Sequence, residues 1–233
     1  MQRAGLTPRA KVLLPVALLL LTALTVHRLF IAEPPAGNAV EVRGLTMGTT
    51  YTVRFDLDVM DGGERARVTE AIEARLDEVN RLMSTYDSTS ELSRFNRLAS
   101  TEPEPLSAST IEVLEVAQRV SEASGGALDV TVAPLVDAWG FGSAGEPPVA
   151  PASAVLEELM QRVGYRGLEL DVASGTVRKS HPALTIDLSA VAKGYAADRV
   201  ADTLAALGHR RVLVEVGGEL RAGAPKADGS PWR

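Results

Sequence analysis

The chain has no cysteine among its 233 residues. Disulfides, thiolate metal ligands and a cysteine nucleophile are therefore excluded, and the redox compartment is left unread. Aromatic residues are scarce at four Tyr, four Phe and two Trp, so a tyrosine in a polar loop such as Ser84-Thr85-Tyr86-Asp87 is poorly explained as core. Histidine is nearly absent too. His181 precedes Pro182 in a loop, and His209 follows a helix end, where the dipole favours a cation; neither fits a recognised site. Internal repeats and heptad patterns are missing. The 45% apolar content suits a globular chain long enough to bury a substantial core.

Charge is unevenly distributed. Residues 1–32 hold Arg3, Arg9, Lys11 and Arg28 and no acid; with 24 basic and 30 acidic residues in all, the remainder carries a formal charge of −10. So acidic a domain is a poor partner for nucleic acid. The basic residues precede an uncharged, largely apolar run from Val12 to Val26, the pattern of a secretory signal. The run is short for a span, because a bilayer core takes about 20 residues. Extending it to Ala32 reaches that length, with His27 and Arg28 near the outer end. Phe30-Ile31-Ala32 lacks the small residue that a cleavage site wants, which favours an uncleaved anchor over a removed peptide. With the basic flank inside, the domain beyond lies outside the cytoplasm. The expected layout is an anchor over 1–32, a Pro-rich linker over 33–39 and one domain over 40–233.

Within that domain, alternation from Val40 to Phe55 predicts two short strands broken at Gly48. Val68, Ile72, Leu76, Val79 and Leu82 carry the 3–4 spacing of an amphipathic helix over Glu64–Met83. Ser88 and Glu91 read as a capping box opening a short helix. Further helices are predicted over Thr110–Ala123, Ser153–Val163 and Ser189–Leu207, with a loop over Gly140–Ala152. Strands are predicted at Leu168–Val172, Thr176–Arg178 and Leu184–Ile186. Val212–Val216 and Glu219–Ala222, joined by Gly217-Gly218, form a hairpin whose turn tolerates positive φ. The fold class is α+β.

The most informative stretch runs from Asp187 to Asp198. Leu184-Thr185-Ile186 leads into it, so it reads as a strand-to-helix turn with Ser189 as the cap. Ala190, Gly194 and Ala197 share one helical face, where a ligand or a second backbone can approach closely. A helix start presents unpaired N–H groups and a positive dipole end, suited to phosphate, and Lys193 adds a mobile cation one turn on. A capped amphipathic helix with a surface lysine explains the spacing equally well.

Six blocks together resemble one family. They are Gly44-Leu45-Thr46-Met47-Gly48-Thr49-Thr50-Tyr51; Met83-Ser84-Thr85-Tyr86 with Ser90-Glu91-Leu92-Ser93-Arg94-Phe95-Asn96; Gly125-Gly126-Ala127-Leu128-Asp129-Val130-Thr131; Trp139-Gly140-Phe141-Gly142; the Asp187–Asp198 stretch; and Val214-Glu215-Val216-Gly217-Gly218-Glu219. In this order they are similar to the signature of the ApbE family of flavin transferases, and they cover nearly everything from residue 44 onward. The resemblance implies mixed sheets with flanking helices and an enzyme that transfers the FMN half of FAD, through a phosphoester bond, to a Thr or Ser hydroxyl of a target protein. AMP is released and magnesium takes part. The implied acceptors are flavoprotein subunits of membrane respiratory complexes, and the implied location is the inner membrane with the catalytic domain in the periplasm. The family's lipoprotein members carry a lipid on cysteine, for which this chain has no residue.

By resemblance the FAD contacts are Met47, Tyr86, Ala127, Leu128, Asp129, Asp187 and Lys193, and the backbone carbonyl of Ala190 is a magnesium ligand. The residue types suit these roles. Tyrosine offers a flat stacking surface, methionine adapts to an aromatic outline, lysine offsets phosphate charge, and a carboxylate accepts hydrogen bonds from a ribose or purine edge. Each also has a plainer reading. Met47 fits a strand-end core position, Asp129 a turn or cap, Asp187 a helix cap, Lys193 a solvated face, and Ala190 a small residue under a helix. The last residues, Asp228-Gly229-Ser230-Pro231-Trp232-Arg233, read as a hairpin tip leading into another strand. In the family a further segment carries a histidine general base and the Asp and Thr that complete the magnesium site, so the expectation is of a chain lacking its catalytic base. Hydrolysis of FAD to FMN and AMP, or flavin binding without turnover, are the alternative functions.

Overall fold

The structure is a computed structural model that describes residues 39–142 and 150–232. The expected anchor over 1–32 and nearly all of the linker over 33–39 lie outside the described residues. Among those described, no helix is long and apolar enough to cross a membrane.

Two hairpins make the first sheet. Strands β1 (Ala39–Thr46) and β2 (Thr49–Asp56) meet at Met47-Gly48, and β6 (Val212–Val216) and β7 (Glu219–Ala222) meet at Gly217-Gly218. All four turn residues have positive φ, at 49°, 70°, 56° and 96°, a backbone twist that suits tight hairpins. β2 runs antiparallel to β6 with Tyr51 opposite Val216 and Phe55 opposite Val212, giving the order β1-β2-β6-β7. Because side chains alternate across a strand, this register places Tyr51, Val53 and Phe55 beside Val212, Val214 and Val216, all buried on one face.

Two long helices cover that face. Helix α1 (Gly62–Met83) is capped by Asp61, whose carboxylate accepts the Glu64 N–H at 2.8 Å. It turns Val68, Ile72, Leu76, Val79 and Met83 inward at 3–4 spacing. Short helices α2 (Glu91–Arg97), α3 (Ala108–Ala123), α4 (Ala133–Ala138) and α5 (Ser153–Met160) follow, and α6 (Ser189–Ala206) packs against α1 and the sheet. Its inner face is Ala192, Ala196, Ala197, Val200, Ala201 and Leu204, and the small side chains bring its axis close to its neighbours. Burying each large aliphatic side chain here contributes about 1.5–3 kcal/mol. A second sheet, β3 (Glu104–Pro105), β5 (Thr176–Lys179) and β4 (Leu168–Asp171), is antiparallel in the order β3-β5-β4.

Three local expectations are corrected. Leu184–Ile186 joins no ladder, although Leu184 and Ile186 are buried; the backbone of Ile186 pairs with the side-chain amide of Asn96 instead. The cap of α2 is Ser90, which accepts the Ser93 N–H at 2.9 Å. Glu91 is drawn away from any capping box because it takes the Ser107 N–H and Oγ at the start of α3. Ser189 does not cap α6. Leu188 stands at the cap without a side-chain bond, and Asp187 accepts the Ser189 N–H at 2.7 Å. A carboxylate two residues ahead reaches that N–H and leaves the serine side chain free of the role. Near the C-terminus the Lys226 N–H donates to the Ser230 carbonyl at 3.1 Å, closing a turn, and no strand follows it among the described residues.

Candidate functional site

A cavity of about 830 Å³ opens where the Met47-Gly48 turn, the end of α1, the loop after it and the first turns of α6 meet. That volume falls in the range of small-molecule sites, roughly 300–1,000 Å³. Each wall follows from local sequence. At the turn, positive φ at both positions lets Met47 lean partly onto the core while lining the cavity. After α1, Ser84 Oγ accepts the N–H groups of Tyr86 and Asp87, each at 3.1 Å, folding the loop back on itself. Tyr86 is left 68% exposed, which is the flat, available surface that stacking requires. From α6, Ser189, Ala192 and Lys193 face the space. The Lys193 ammonium lies 3.5 Å from the Gly217 carbonyl, so the second hairpin turn steadies the cation.

Met47, Tyr86 and Lys193 are therefore brought together, from positions up to 146 residues apart in the chain. The other residues picked from the sequence sit elsewhere. Ala127, Leu128 and Asp129 do not line this cavity. Both Asp129 carboxylate oxygens bond to protein, one accepting Thr131 N–H at 2.8 Å and Thr131 Oγ1 at 2.6 Å, the other Tyr165 N–H at 2.8 Å. It caps the short turn Val130–Val132. Asp187 is tied to that segment, its N–H donating to the Val130 carbonyl at 2.7 Å. Ala190 is exposed in the first turn of α6, beside the cavity rather than in it.

Other cavity residues lie outside the expected FAD contacts. Ser189 and Asn80 line the cavity, and only the folded backbone shows it. Asp137 does not line the cavity. Its carboxyl is tucked against Gly142, and partial burial followed by the negative charge of Asp187 raises it above the usual carboxylate range. The negative charge of Asp187 therefore reaches Asp137. Among the described residues no group of three or more His, Asp or Glu is placed to hold a metal ion. For an anionic nucleotide the fit is better: the amino end of an 18-residue helix, one lysine and an exposed ring line one opening.

An α+β scaffold with a large cleft between a hairpin turn and a helix start is the layout of a small-molecule site. Residues 47–233 match the ApbE family, and the chain belongs to that family. It is 44% identical over 202 residues to an FAD:protein FMN transferase of Vibrio cholerae, covering 86% of this chain and 59% of the relative. With an FAD:protein FMN transferase of Escherichia coli strain K12 it shares 35% over 206 residues, 86% of this chain and 58% of the relative. The solved flavin transferase ApbE from Vibrio cholerae superposes with a TM-score of 0.77 at 41% identity, covering 84% of this chain and 62% of that one. The apo form of the Pseudomonas stutzeri flavinyl transferase ApbE gives 0.75 at 36%, covering 84% and 64%. The chain spans about three-fifths of the length of the curated relatives it matches.

Proposed function

We propose that this protein transfers FMN from FAD to a Thr or Ser hydroxyl of a target protein. The observation that carries the reading is the convergence of Met47, Tyr86, Lys193 and the start of α6 on one cavity, in a member of a family whose curated relatives are FAD:protein FMN transferases. The isoalloxazine would stack on Tyr86 with Met47 against its edge. The diphosphate would meet the α6 amino end and the Lys193 ammonium. The acceptor hydroxyl oxygen bonds to the FMN-side phosphorus, the bond from that phosphorus to the bridging oxygen breaks, AMP leaves, and the hydroxyl proton passes to a base. Lys193 would hold the charge that grows on the leaving phosphate.

Magnesium belongs to this proposal as the ion that, when bound, neutralises diphosphate charge. Asp187, which bonds the first residue of α6, and the Ala190 carbonyl in its first turn are oxygen donors this chain would bring to the ion, with Asp137 within reach of the Asp187 charge. The membrane side is also proposed: residues 1–32 as an uncleaved anchor, the domain in the periplasm, and the acceptor a flavoprotein subunit of a membrane respiratory complex. Mass measurement of the mature amino terminus decides the anchor, and an end near residue 33 would sink it.

The deciding assay incubates the full-length protein with FAD, magnesium and an acceptor peptide. Flavin fluorescence retained on the peptide in a denaturing gel is expected. Free FMN alone would mean hydrolysis, and unchanged FAD would mean binding without turnover.

A further inference from the structure

We infer that Asn96 and Lys179 are positioning residues that hold the ligand-facing start of α6, an inference that rests on reading that helix start as the FAD site. Neither residue lines the cavity. Their influence runs through the backbone.

Asn96, near the end of α2, meets a residue 90 positions away. Its Oδ1 accepts the Ile186 N–H at 2.8 Å, and its Nδ2 donates to the Ile186 carbonyl at 2.8 Å. One side chain thereby satisfies both backbone groups of a residue that is fully buried. Water cannot replace these bonds, and a buried backbone group left unpaired is costly. The amide acts as a one-residue strand. The next residue, Asp187, is held from the opposite side by Val130 and itself holds Ser189, the first residue of α6. The entry to the helix is thus fixed at two consecutive residues, and both fixings come from distant chain.

Lys179 on β5 fixes Asn96 in turn. It is 2% exposed, and its ammonium donates to the Leu98 carbonyl at 2.9 Å and the Asn96 carbonyl at 3.4 Å, with the Phe95 ring centroid 4.7 Å away. Its partners among the described residues are two carbonyls and a ring face rather than a carboxylate. A buried cation held only by neutral groups is an expensive way to end a seven-residue helix. The position it secures is that of Asn96, and through it Ile186, Asp187 and Ser189.

The test uses the full-length protein and three substitutions. Asn96→Ala removes both bonds, Asn96→Asp keeps the acceptor for the Ile186 N–H and loses the donor, and Lys179→Met removes the anchor of α2. Ile72→Val, in the α1 core and away from the cavity, is the control for lost stability. FAD affinity is read by flavin fluorescence and local opening by amide hydrogen exchange over residues 184–193. Expected are an FAD affinity about ten-fold weaker for Asn96→Ala, in line with two lost bonds to buried groups, a smaller loss for Asn96→Asp, and faster exchange over 184–193 in all three. The Ile72→Val control should change neither at a comparable drop in melting temperature. Wild-type affinity and wild-type exchange in these variants would overturn the inference. Should Asn96→Ala fail to fold, Asn96→Asp and Lys179→Met decide it. If the unaltered protein binds no FAD, the FAD reading falls, while exchange measured without ligand still decides whether these residues hold the helix start.

Discussion

The Tyr86 hydroxyl donates to the backbone carbonyl of Phe141 at 3.0 Å, linking two loops 55 residues apart. That bond aims an exposed ring which would otherwise rotate freely about χ1. Tyr86→Phe keeps the stacking face and loses the aim. Its FAD dissociation constant should rise about two- to ten-fold, the worth of one hydrogen bond. Tyr86→Ala loses the face as well and should bind still more weakly, since aromatic stacking on a base contributes about 1–3 kcal/mol. Fluorescence titration separates the two, and equal affinities for Phe and Ala would remove stacking from the account.

Lys193 is assigned to phosphate, and that assignment predicts selectivity. Lys193→Met should weaken FAD binding by ten-fold or more yet leave riboflavin, which has no phosphate, nearly unaffected. Rising salt should weaken FAD binding to the unaltered protein more steeply than to the variant. Parallel losses for both ligands would mean that the lysine shapes the cavity rather than neutralising charge.

Gly217 gives the cation its room. A Cβ there would lie 2.7 Å from Thr49 Cγ2 and 3.0 Å from Lys193 Cδ, on a residue with φ of +56°. Gly217→Ala should therefore cost about 1–2 kcal/mol in backbone strain, lowering the melting temperature by several degrees, and should also displace Lys193. Calorimetry and FAD titration are read together. Lost stability with unchanged affinity would detach this turn from the site.

Tyr51 predicts an alkaline weakness. Burial first, then the charge of Glu73 and a 3.4 Å bond to it, push its hydroxyl up to about 12 from the usual 10. Below pH 10 both folded and unfolded chains keep the proton, and stability is unaffected. Between 10 and 12 the unfolded chain loses its proton first, so this group's contribution falls by about 1.4 kcal/mol per pH unit. The unfolding free energy from urea titrations should fall with pH across that window for the unaltered protein, and fall less for Tyr51→Phe.

Elements whose reasons are local were legible in the sequence. The β6–β7 hairpin was read with its observed limits because Gly217-Gly218 and the flanking alternation lie within eleven residues. The α1 face follows from its own 3–4 spacing except at its end, where Met83 rather than Leu82 is the buried residue. Leu184–Ile186 defeated the reading because its pairing partner is the side chain of Asn96, and composition alone makes it a strand. Ser189 was misplaced by one position because the competing acceptor, Asp187, also favours the turn. At the site, Tyr86 stood out as an aromatic in a polar loop, whereas Met47 and Lys193 gained meaning through the family resemblance. Asp129 came from the same resemblance, and the fold uses both its oxygens for capping. The Asp137–Asp187 proximity depends on packing between distant segments and has no sequence signature.

The β6–β7 turn is also tied to the start of β2, since the Gly217 N–H donates to the Thr50 carbonyl at 3.0 Å. The β6–β7 turn cannot then gain or lose a residue at Gly217 without disturbing that bond and the carbonyl that steadies Lys193. Length variation tolerated by this scaffold must fall on other connections, and an engineer seeking a new acceptor preference should leave that turn at two residues and graft diversity elsewhere.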